Sequence, residues 1–101
     1  MVFDLRAALL RKEEIESARL MDFEFRQRAR TFRLMAAALD IEPSVLVKAI
    51  AQHGDAAILD GLANDLPKSR EELGHLYARC RADAYAQLVG ELGDPTPHRL
   101  G

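Results

Sequence analysis

A chain of 101 residues is enough for one domain with a modest core. Hydrophobic residues at 49% and charged residues at 30% exclude a disordered chain, and sparse Val, Ile and Thr disfavour β-sheet. A net charge of −2 gives no global pull toward nucleic acid or acidic membranes.

The first predicted element is one helix from Phe3 or Asp4 to Leu39, on the order of 50 Å long. Neither Gly nor Pro interrupts it, and Asp4 can cap its start. From Ile15 onward its apolar residues form a stripe of Ala18, Met21, Phe25, Ala29, Phe32, Ala36 and Leu39, expected to face a core. Residues 1–14 do not share that stripe. They offer Phe3, Leu5, Leu9 and Leu10, then the charged run Arg11-Lys12-Glu13-Glu14. This end either rests Leu5 and Leu9 on the C-terminal half of the last helix or on its tail, or inserts Phe3, Leu5 and Leu9 into a partner's groove.

Pro43 stops the first helix from downstream and opens a short second one, about 43–52, with Val45, Leu46, Ala49 and Ile50 as its buried face. Gly54 is expected to end that helix in a left-handed conformation. Asp55 is expected to cap a third helix, about 55–66, with Ile58, Leu59, Leu62 and Leu66 turned inward and Gly61 weakening its middle. Ser69 and Glu72 form a capping box for a fourth helix reaching Leu92, with Leu73, Leu76 or Tyr77, Cys80, Ala84, Leu88 and Leu92 inward. Residues 93–101, with Pro95 and Pro97, form a loose tail after a single helical domain over 1–92. The expected fold is therefore all-α: a four-helix bundle with long first and last helices and two short middle ones.

Several chemistries fit these residues poorly. His53, His75, His98 and Cys80 are scattered, and His75 and Cys80 stand about 140° apart around a helix, so no metal site is expected. Cys80 on a core stripe is an inert thiol rather than a nucleophile. The carboxylate pairs Glu13/Glu14 and Glu71/Glu72 lie near helix ends, Ser17, Ser44 and Ser69 have structural roles or none, and Gly54, Gly61 and Gly74 make no phosphate loop. No enzymatic activity, cofactor or metal is called for. One cysteine suits a reducing compartment, and the apolar run from Ala7 to Leu10 is too short for a signal peptide or membrane span, so a cytoplasmic location is expected.

Two features invite a binding role besides residues 1–14. Residues 34–62 run helix, Pro-containing turn, helix, like a DNA-reading module, but Lys48 is the one cation of the would-be reading helix and Gln52 its one other base reader. Nucleic acid is thus the poorer-fitting partner. Arg26, Arg30 and Arg33 share one side of the first helix, while Arg28 borders the buried stripe. They make either a solvated face, neutralised in part by Asp22 and Glu24, or an anionic docking face. A homodimer pairing the first helix across chains also stays open.

The order of motifs resembles the ATPase inhibitor zeta-subunit family of alphaproteobacteria. The matching segments are Phe3-Asp4-Leu5-Arg6, then Glu24-Phe25-Arg26-Gln27-Arg28-Ala29-Arg30, then Arg33-Leu34-Met35-Ala36-Ala37-Ala38-Leu39. Gly54-Asp55-Ala56-Ala57-Ile58, Asp65-Leu66 and the helical close from Arg70 to Leu88 follow in the family's order. The resemblance implies a four-helix bundle that binds F1-ATPase at its α and β subunits and restrains ATP hydrolysis. By it, residues 3–19 would be the inhibitory helix, with Phe3, Asp4, Leu5, Arg6 and Leu9 as contact residues.

Overall fold

The structure, a computed structural model, describes the backbone of residues 5–93 and the side chains of residues 19–93. The capping role expected of Asp4 and most of the tail, residues 94–101, lie outside the described residues.

Four helices account for the described chain: α1 (Leu5–Leu39), α2 (Pro43–Gln52), α3 (Asp55–Asp65) and α4 (Arg70–Leu92). The chain is an all-α helical bundle with the expected pattern of two long and two short helices. α1 packs on α4 and α2, while α3 packs on α4 and α2, so the helices form a ring in chain order. The two long helices run antiparallel. Phe23 meets Tyr85, Gln27 reaches Arg81, and Phe32 meets Tyr77.

Each junction has a local cause. α1 ends in a Schellman motif: Asp40 adopts a left-handed conformation (φ 55°), the Ile41 N–H donates to the Ala36 carbonyl at 3.0 Å, and the Asp40 N–H to Ala37 at 3.4 Å. An aspartate holds the position that glycine usually takes. Pro43 then starts α2 at its first helical position, where no N–H is needed. Ser69 caps α4 by accepting from the Glu72 N–H at 3.0 Å, one half of the expected capping box.

Two junction expectations are corrected. Gly54 is extended (φ −76°, ψ 165°) rather than left-handed, because it ends one helix and immediately starts the next as the N-cap of α3. Asp55 is accordingly the first residue of α3 and not its cap, and its carboxylate is engaged elsewhere.

The core joins Phe32, Met35 and Ala36 of α1, Leu46 of α2, Ile58, Leu59 and Leu62 of α3, and Leu73 and Cys80 of α4. Ala84 and Leu88 extend the buried side of α4. Burial of each large apolar side chain here contributes about 1.5–3 kcal/mol. The expected inward residues of α3 are buried, apart from Leu66, which is half-buried.

The stripe on α1 requires a change of phase. Met21 and Phe25 are 69% and 64% exposed, whereas Phe23, Gln27 and Thr31 are buried. Two polar residues on the face toward α4 hide it from a search for apolar spacing. Both are satisfied: the Thr31 hydroxyl donates to the Gln27 carbonyl at 2.6 Å, and the Gln27 amide donates to the Arg81 carbonyl at 3.3 Å. The Phe23 ring packs edge-on against Tyr85 at 5.6 Å. Val45 and Leu92, expected inside, are also exposed, at 60% and 54%.

Gly61 lies inside α3, and a Cβ added there would have nothing within 4 Å, so a side chain at this position meets open space. Gly61→Ala is expected to raise stability by about 0.5–1 kcal/mol through helix propensity. Denaturant unfolding followed by circular dichroism measures this; an unchanged or lower midpoint would contradict it.

Candidate functional site

The first candidate is the N-terminal end of α1. α1 has 35 residues and α4 has 23, and Phe32 of α1 lies beside Tyr77 in the first half of α4, so α1 outruns α4 at its N-terminal end. The α1 backbone is helical from Leu5, so roughly ten residues, or about 15 Å, project past the last turn of α4. Leu5, Arg6 and Leu9 sit on this projecting helix, but their side chains lie outside the described residues, as do Phe3 and Asp4 entirely.

The second candidate is the arginine face. Its members are placed in different environments. Arg26 pairs with Asp22 one turn earlier at 2.9 Å, both well exposed. Arg30 crosses to α4, donating to Glu91 at 2.7 Å and to Gln87 at 3.4 Å. The hydrogen bond to Glu91 holds that carboxyl below its usual value and raises the Arg30 guanidinium above its own. Arg33 makes no ion pair among the described residues and lines a cleft instead. The three cations therefore do not form one free anion-binding face.

The cleft measures about 220 Å³ and lies between α1 and α2, with Phe25, Ala29 and Phe32 on one wall and Leu46, Val47 and Ile50 on the other. Arg33 is the charged residue that lines it. Exposed Phe25 and Val47 extend its apolar surface into solvent. On α2 the exposed side chains include Val45 and Val47 beside Lys48, a composition suited to protein contact more than to a phosphate backbone.

Among the described residues, the densest polar arrangement is one that sequence reasoning passed over. Arg28 donates from Nε to Asp55 Oδ1 at 2.5 Å, from Nη1 to the Ile50 carbonyl at 2.8 Å, and from Nη2 to the His53 carbonyl. Tyr77 of α4 donates its hydroxyl to the other carboxylate oxygen of Asp55, and Arg81 donates to the Tyr77 oxygen at 3.2 Å. Arg28 thereby satisfies carbonyls at the C-terminal end of α2 while holding the first residue of α3. Its guanidinium carbon also stands 6.0 Å from the Phe32 ring centroid. The only hint in the sequence was Arg28 leaving the line of the other arginines.

Burial works to raise the Asp55 carboxyl, but the hydrogen bonds from Arg28 and Tyr77, with the charges of Arg28 and Arg81, outweigh it. The net effect holds the carboxyl below its ordinary value. Burial, then the bond to Asp55, pushes the Tyr77 hydroxyl up. Burial also pushes the Cys80 thiol up, which disfavours the reactive thiolate.

Among the described residues, no group of three or more His, Cys, Asp and Glu is gathered closely enough to hold a metal. His53 and His75 are exposed, the latter 3.8 Å from Glu71, and His98 lies outside the described residues. No helix among the described residues is long and apolar enough to cross a membrane. Comparison with protein-family models, curated proteins and solved structures gives no match to this chain.

The Asp55 geometry fixes a pH dependence. A carboxyl depressed in the folded state stabilises fully above its unfolded value near 4, and that contribution is lost as pH falls through the folded value. Asp55→Asn is expected to lower stability at pH 7 by about 1–3 kcal/mol and to flatten the loss of stability below about pH 4. Urea unfolding at pH 7 and at pH 3 measures both; equal losses at the two pH values would contradict the assignment.

Proposed function

We propose that this chain is a small regulatory protein that docks the projecting end of α1 onto a larger enzyme, namely F1-ATPase, and restrains its ATP hydrolysis. The observation that carries the docking mode is the overhang: α1 continues as a helix past the end of α4. A helix that projects from a bundle can enter a groove while the bundle stays folded. The identity of the enzyme rests on the resemblance of Phe3-Asp4-Leu5-Arg6 and the later segments to the zeta-subunit inhibitors.

In this mode Phe3, Leu5 and Leu9 supply apolar anchors and Asp4 and Arg6 supply polar ones. The bundle acts as a stop that sets how far the helix enters. The anchors are few, so affinity depends on each of them.

Full-length protein added to purified F1-ATPase is expected to slow steady-state ATP hydrolysis in proportion to occupancy. A chain lacking residues 1–14 should keep its helical circular dichroism and lose the inhibition, and Leu9→Asp should weaken inhibition by about tenfold or more. Hydrolysis unchanged at saturating full-length protein would remove the proposal.

A further inference from the structure

We propose that the exposed apolar face of α1 is a self-association surface: two copies pair their α1 helices antiparallel about a two-fold axis near residues 23 and 24. Met21 and Phe25 stand one helical turn apart on the same face and are 69% and 64% exposed. They lie outside the bundle core, and Phe25 also forms the edge of the cleft between α1 and α2. An apolar strip thus runs from the cleft up the helix.

The occupant is argued from the symmetry of the pattern. In an antiparallel pair with a two-fold axis at this level, residue 21 of one copy comes opposite residue 25 of the other. Met21 then packs on the partner's Phe25, and Phe25 on the partner's Met21. The same operation sets Asp22 beside the partner's Arg26 on the same flank, and the reverse. Asp22 and Arg26 already pair within α1 at 2.9 Å, so the dimer forms a ring of four alternating charges at the edge of an apolar centre. Acid and base spaced by four, next to two large apolar residues spaced by four, make the surface complementary to itself. That is the requirement of an isologous interface.

The arrangement also accounts for the cleft. The two-fold lays roughly residues 14–22 of each α1 beside the partner's Phe25, Ala29, Phe32 and Arg33, where the apolar cleft of about 220 Å³ opens. A second helix there would shield Phe25 and Val47 from water. The inference does not depend on F1-ATPase as the partner.

The test is sedimentation velocity of the full chain over roughly 1–200 µM. The expected result is a concentration-dependent shift from the 11.3 kDa monomer to a species of twice that mass. Phe25→Asp and Met21→Asp should each leave the protein monomeric throughout, with helical circular dichroism unchanged because neither side chain belongs to the core. Arg26→Asp at low salt should weaken association by about tenfold, since it sets two acids face to face across the axis. The double variant Asp22→Arg/Arg26→Asp should restore it. A monomer at every concentration overturns the proposal. So does a dimer that survives Phe25→Asp, or a charge swap that fails to restore pairing. The readout is mass alone, so its failure leaves the hydrolysis assay to be judged separately.

Discussion

One guanidinium group sets how the short half of this bundle meets the long half. Arg28 comes from the middle of α1 and ties down two carbonyls at the end of α2 and the carboxylate that begins α3. Tyr77 closes the same carboxylate from α4, so a single cluster touches all four helices. Helices of ten and eleven residues are marginal on their own. They hold because their buried faces share the core and because the backbone groups exposed between them find a charged partner. The planar fork of arginine suits this task, since several donors diverge from one centre toward a carboxylate and two carbonyls.

That cluster also shapes what remains outside. It holds α2 against the C-terminal half of α1 and α3 against α2 and α4, and among the described residues the N-terminal half of α1 meets α4. The exposed Met21 and Phe25 lie on the side of α1 that α2 would cover if it were longer. The projecting helix follows from a helix of 35 residues beside one of 23, and the apolar strip from an α2 of ten. A projecting end can meet a foreign groove, and an uncovered strip can meet its own copy.

The arginines show how context separates residues that a helical wheel groups together. Arg26 spends its charge within its own helix, Arg30 on the far end of α4, and Arg33 faces an apolar cleft. Only Arg33 keeps its charge for a partner among these three within the described residues. Arg28 carries the structural role, although helical spacing alone singles out its neighbours as the candidates for function.

The sequence by itself determined the helices and most of their limits. Pro43, the Ser69 cap and the apolar spacing of α3 and α4 act within a few residues, so local steric and hydrogen-bonding rules suffice to read them. Tertiary structure alone decided three things. It chose the phase of the N-terminal half of α1, because Gln27 could be buried once the Arg81 carbonyl of α4 was there to receive it. It turned Asp55 from an expected cap into the partner of Arg28, a residue 27 positions away. It also set the overhang, which depends on where two helices stop relative to each other. Spacing records which residues can share a face; which face is covered, and how far, depends on partners that are distant in the chain.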